Sequence, residues 1–118
     1  MNNIKPFTIK RNDTLPAITV NVRTRGYVNE LIPYSLTAVT ASTFSMTDEN
    51  GNLKISSASA QILVASAGTI QYNWVNGDTD TIGTYNGEFE LIFSGGSKMS
   101  IPSIGSLDIH IIRDINNA

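Results

Sequence analysis

The side chains of this 118-residue chain that could do chemistry crowd into one stretch and one outlier. Asp78 and Asp80 stand two apart in "WVNGDTDTIGTYNG", Glu88 and Glu90 stand two apart in "GEFELIF", and the single histidine, His110, comes near the end. Paired carboxylates offer oxygen ligands for a hard cation, or an acid and a base flanking a scissile bond. "DTDTIG" begins like a calcium loop, but such a loop needs a bidentate Glu at its twelfth position, and counting from Asp78 that position is Phe89. A looser surface calcium site on Asp78 and Asp80 is the residual metal reading, and no metal is assigned. Glu88 and Glu90, two apart on a strand, project from one face toward solvent rather than across a cleft. His110 alternates with Ile109 and Ile111 without an evident Ser or Cys partner, which makes it a surface or edge residue. Phosphate-binding loops, nucleophile elbows and zinc-binding HExxH are absent. The expectation is a protein with no catalytic residue and no cofactor, hence not an enzyme.

The elements that would position these groups are strands. Period-2 alternation dominates and no long stretch holds a 3.6 period. Phe7 and Ile9 alternate with Thr8 and Lys10; Ile18, Val20 and Val22 with Thr19, Asn21 and Arg23. Phe44 and Met46 precede "DENGN", a hairpin signal in which Asn50-Gly51 can take positive φ. Ile70, Tyr72 and Trp74 share a face, as do Tyr85, Gly87, Phe89, Leu91 and Phe93, and later Leu107, Ile109 and Ile111. Gly95-Gly96 makes another tight turn. "SASAQILVASAG" fits a short helix or a strand edge, and "RGYVNELIPYSLTAVT" reads as a long connection of low regularity. Seven to eight short strands separated by turns predict an all-β, immunoglobulin-like antiparallel β-sandwich.

Composition agrees. A hydrophobic fraction of 41% supplies one core, and a charged fraction of 15% is low against the usual quarter. One domain over residues 1–118 is expected, with residues 1–10 as an extended docking arm. The net charge of -2 and pI near 5.1 speak against a nucleic-acid partner. There is no cysteine, so neither a disulfide frame nor a thiolate site exists. No apolar run approaches the roughly 18 residues of a membrane span, and the N-terminus lacks the apolar region of a secretory signal. The reading is a soluble protein made in a cytoplasm, with no membrane partner.

Within this frame the aspartate-rich loop has a structural reading. In immunoglobulin-like sandwiches an Asp before a strand is followed by Gly and a corner Tyr, whose hydroxyl bonds backward to the backbone. Asp80, Gly83 and Tyr85 fit with one extra residue between Asp and Gly, and Trp74 is the core anchor. A carbohydrate-binding module with Tyr27, Tyr34 and Trp74 as stacking platforms is the rival from another class.

The order of pieces carries a resemblance. Lys10, Arg11, Asp13, Thr14 and Pro16 at the start, Asp48, Asn50 and Gly51 in the hairpin, and Trp74, Asp78, Thr79, Gly83, Tyr85, Glu88 and Phe89 later resemble the motifs of the N-terminal domain of tailed-phage upper baseplate proteins. Asn12 stands where that family has glycine, and the connection from Gly26 to Thr40 is unlike its short turn. The resemblance implies a non-enzymatic structural protein of a virion, docking to other tail, baseplate or neck proteins after assembly in the host cytoplasm. A capsid decoration or head-fibre protein is its neighbour. Residues 1–25 hold Lys5, Lys10, Arg11, Arg23 and Arg25 against Asp13, whereas residues 78–90 hold Asp78, Asp80, Glu88 and Glu90 and no base. The expected contact residues are therefore Lys10, Arg11, Arg23 and Arg25 on one side and Glu88 and Glu90 on the other. Such opposite patches favour a homo-oligomer or ring.

Overall fold

A computed structural model describes residues 6–115. The described residues form eleven strands, most of them built on alternating apolar residues, and the main sheet runs in the order β1 (Phe7–Lys10), β11 (Leu107–Ile112), β9 (Gly83–Phe93), β5 (Val39–Asp48), β6 (Leu53–Ser59). Strand β10 (Lys98–Ile101) shares an edge of β9 with β11: β11 takes residues 83–87 and β10 takes 89–92. The second sheet is β2 (Ile18–Asn21), β8 (Thr69–Tyr72), β7 (Gln61–Val64). A separate hairpin pairs β3 (Arg23–Arg25) with β4 (Leu31–Pro33). All pairings are antiparallel except β1 with β11, where Phe7 meets Ile109 and Lys10 meets Ile112.

The architecture is the expected all-β, immunoglobulin-like sandwich, cut into more and shorter strands. Two segments of uncertain type resolve. "SASAQILVASAG" divides into the end of β6, then β7, then a single 3-10 turn, Ala65–Ala67, closed by Gly68 in the left-handed region (φ 74°). The irregular connection after Arg25 turns back on itself as the β3–β4 hairpin. Of the expected docking arm, residues 7–10 are an integral strand of the main sheet, while residues 1–5, with Lys5, lie outside the described residues.

Between the sheets the inward positions meet as predicted. Phe44 is wholly buried and lies at the centre of an aromatic cluster: stacked on Tyr72 at 4.7 Å, edge-on to Trp74 at 5.9 Å and tilted against Phe89 at 5.0 Å. Offset and edge-to-face pairs of this kind add about 0.5–1.5 kcal/mol each beyond the area they bury. Ile9, Met46, Leu91, Ile109 and Ile111 extend the same core. Gly87 leaves room for Phe44. A Cβ there would stand 2.6 Å from Ile109 Cδ1 and 3.0 Å from Phe44 Cζ. The turns obey their sequences too. Asp48 Oδ1 accepts from Asn50 N and Asn52 N, both at 2.9 Å, and of the Asn50-Gly51 pair only Gly51 adopts positive φ (85°).

Candidate functional site

The aspartate loop follows β8 and is held from inside. Asp78 is buried, and its Oδ2 accepts from the Tyr72 hydroxyl at 2.6 Å and from Val75 N at 2.9 Å. Burial first, then that bond to Asp78, push Tyr72 well above the usual phenol value, so it stays a protonated donor. Thr79, more deeply buried still, donates Oγ1 to Asp13 O at 2.7 Å, and its carbonyl accepts from Asn12 N at 2.9 Å. Trp74 Nε1 donates to Pro16 O at 3.1 Å. The loop is thereby tied to the segment between β1 and β2. Asn12 itself takes φ 69°, the left-handed region that glycine occupies freely and asparagine tolerates better than most residues.

Asp80 points the other way, to Lys54 Nζ on β6 and Thr81 Oγ1 at 2.8 Å. The Lys54 bond, followed by the Thr81 bond, holds its carboxyl below the usual range. Asp78 and Asp80 therefore face different partners, one inside and one at the surface, and the surface calcium reading is corrected accordingly. Among the described residues no three His, Cys, Asp or Glu side chains gather as metal ligands. The corner reading fits the geometry: the Tyr85 hydroxyl donates backward to Thr81 O at 2.8 Å, and burial raises its pKa. Gly83, at φ 159°, is extended backbone and packs beneath the Tyr85 ring.

The expected interface residues do not converge. Lys10 and Arg11 lie at the end of β1 beside the 78–80 loop, and Arg11 approaches Asp114 at 3.7 Å. Arg23 and Arg25 lie on β3, beyond the opposite end of β2, because Ile18 pairs with Tyr72 while Asn21 pairs with Thr69. The length of β2 separates the two pairs of cations. Glu88 and Glu90 occupy the outer face of β9, opposite Ser45 and Thr43, with Glu88 exposed and Glu90 half-buried. His110 is on the outer face of β11, flanked by β1 and β9 rather than at an edge, with Nε2 3.1 Å from Asp108 Oδ1. The stacking platform also fails. Trp74 is only 4% exposed, Tyr34 packs edge-on against Phe93, and Tyr27 is alone in solvent.

The concave feature that sequence reasoning missed lies at the open side of the sandwich. There β1, an outer strand of one sheet, comes near β2, an outer strand of the other. Between them is a groove of about 580 Å³ lined by Phe7, Ile18, Val20, Ile104, Leu107 and Asp108 among others. Its lining is mostly aliphatic and aromatic, with one carboxylate and, among the described residues, no cation. Its walls come from residues 6–7 and 18–20 near the start of the chain and from residues 102–108 near its end, so no local motif announces it.

No family model and no curated protein matches the chain. Among solved structures it is similar to the crystal structure of CopC from Methylosinus trichosporium OB3b, with a TM-score of 0.54, 13% identity, and coverage of 96% of this chain and 89% of that one. At such identity the likeness speaks to the fold. It also corrects the expected function: a solved fold that matches nearly the whole chain is that of CopC, not of a tail, baseplate, neck or capsid protein, and the reading as a virion structural protein is withdrawn.

Proposed function

We propose that the chain is a non-enzymatic binding domain whose groove between β1 and β2 receives an extended, largely apolar polypeptide segment. The observation that carries this is the groove itself, flanked by two strands that, among the described residues, each pair on one side only: β1 with β11 and β2 with β8. An open strand edge offers a row of backbone donors and acceptors to an incoming strand, and apolar pockets beside it select alternate side chains. The volume lies in the range of sites that bind ligands by burial. The titratable groups support the same reading, since Asp78 and Asp80 are engaged in holding loops and Glu88 faces solvent. Among the described residues no set of ligating side chains accompanies the likeness to CopC, and no metal role is proposed.

The test is selection from a random peptide library on the protein and on Ile104→Asp. Ile104 is 90% exposed, so the substitution places a charge on the groove without touching the core. Enrichment of apolar peptides by the natural chain and its loss in Ile104→Asp is the expected result. Equal enrichment on both, or none on either, would rule the groove out.

A further inference from the structure

We propose that Asn76 is a site of spontaneous covalent modification, where the turn at residues 75–78 lets the side-chain amide convert to an acid through a succinimide, with water as co-reactant. The inference is independent of the groove. Asparagine is chemically labile, and most so before glycine, which puts no side chain in the way of an attacking main-chain nitrogen. The sequence holds three such pairs, Asn50-Gly51, Asn76-Gly77 and Asn86-Gly87. The fold treats them differently.

Ring closure needs the glycine amide to give up its proton and the asparagine side chain to swing onto it. At Asn50-Gly51 the amide is engaged: Gly51 N donates to Asp48 O at 3.1 Å, and Asn50 N donates to Asp48 Oδ1 at 2.9 Å. Asn86-Gly87 lies within β9. There Gly87 is buried and paired on both sides, with Leu107 and with Met46, and Asn86 Oδ1 accepts from Ser106 Oγ at 3.0 Å. Asn76-Gly77 is under neither restraint. Asp78 N donates to Val75 O at 3.0 Å, closing a four-residue turn whose bond does not involve the Gly77 amide. Gly77 takes φ 98°, the positive value that the third position of a type II turn requires. Among the described residues no main-chain carbonyl accepts from Gly77 N. Asn76 and Gly77 are both exposed, and a Cβ at Gly77 would meet nothing within 4 Å, so the Asn76 side chain has room to turn.

The step balances with water alone. Gly77 N loses its proton to solvent and bonds to Asn76 Cγ, the Cγ–Nδ2 bond breaks, and the departing amine takes up a proton and leaves as ammonia. Water then opens the succinimide. Addition at Cγ gives aspartate at position 76, and addition at the main-chain carbonyl gives isoaspartate, with the chain routed through Cγ. Either product adds a negative charge to the loop. Isoaspartate also inserts an extra main-chain carbon into a turn whose ends are tied together, since Val75 N and the Tyr72 hydroxyl both donate to Asp78 Oδ2. The longer turn loads those two bonds.

The test incubates the purified natural chain in warm, mildly alkaline buffer, beside the same chain in urea and beside Asn76→Gln. Peptide mass mapping locates each conversion, and an isoaspartate-specific methyltransferase with a labelled methyl donor marks the rerouted product. In the folded chain, conversion at Asn76 should outpace that at Asn50 and Asn86 by about tenfold or more, the factor that 1.4 kcal/mol sets, because the other two must first break folded hydrogen bonds. In urea the three rates should draw together. Asn76→Gln changes an exposed position, Trp74 fluorescence checks that it folds, and it should lose most of the ammonia that the folded natural chain releases. Equal rates at the three pairs in the folded chain, faster conversion at Asn50 or Asn86, or ammonia release unchanged in Asn76→Gln would overturn the inference. So would a folded chain that keeps Asn76 intact while the urea-unfolded chain converts there.

Discussion

The buried pair of Tyr72 and Asp78 invites a double-mutant cycle. Tyr72 is 3% exposed and Asp78 is 9% exposed, and one carboxylate oxygen receives both the phenol and the Val75 amide. Tyr72→Phe removes one donor while the Val75 bond persists, and a hydrogen bond to a charged acceptor contributes about 1.5–3 kcal/mol. Asp78→Ala strands two donors at once, each costing about 1–3 kcal/mol when buried, and should destabilise by about 3–5 kcal/mol. In the double variant the phenol is gone and only the Val75 amide is stranded. The two losses must therefore sum to more than the double loss, by a coupling of about 1.5–3 kcal/mol. Urea unfolding followed by far-ultraviolet circular dichroism measures each corner, with Trp74 fluorescence as a second probe because that ring meets Tyr72 edge-on at 5.5 Å. An unchanged dependence on urea would show that only stability moved. A coupling below about 0.5 kcal/mol, the scatter of independent sites, would refute the claim that Asp78 is a core residue.

Two further outcomes follow from the same structure. Gly87→Val should destabilise by about 1–3 kcal/mol by crowding Ile109 and Phe44, whereas a substitution tolerated without loss in thermal unfolding would show that the aromatic cluster has slack. Asp80 and Asp48 both have folded values below the ordinary 3.8, the first through Lys54 and the second through the Asn52 amide. Their stabilisation is present above pH 3.8 and is lost as pH falls through the lower folded values. The gap in stability between the natural chain and Lys54→Met should accordingly close in acid, and a gap independent of pH would contradict the pairing.

How much of this was readable beforehand depended on distance along the chain. Inward faces such as Tyr85, Phe89 and Leu91 announce themselves by alternation, which needs only neighbours. The Tyr85 corner was legible for the same reason, since its acceptor, Thr81, lies four residues away. Asp78 was misread because a carboxylate in a polar loop looks exposed until Tyr72 folds beneath it. The charge patches failed because sequence proximity within residues 1–25 ignores β2, which holds Lys10 and Arg11 apart from Arg23 and Arg25. The β3–β4 hairpin escaped notice because Tyr27, Val28, Leu31 and Ile32 break the alternation: an element that buries neither face carries no period. The groove could not be seen at all, being assembled from strands at opposite ends of the chain.

The parallel pairing of β1 with β11 has a mechanical consequence. Tension applied at Phe7 and at Ile112 pulls these strands past one another along their length, because both run in the same direction. Every ladder bond between them is then loaded together in shear, whereas an antiparallel pair pulled from one end would open a bond at a time like a zip. The sandwich should accordingly resist stretching through those two points until the β1–β11 ladder ruptures as a unit. Single-molecule extension would register this as one abrupt event, and a gradual lengthening at low force would deny it.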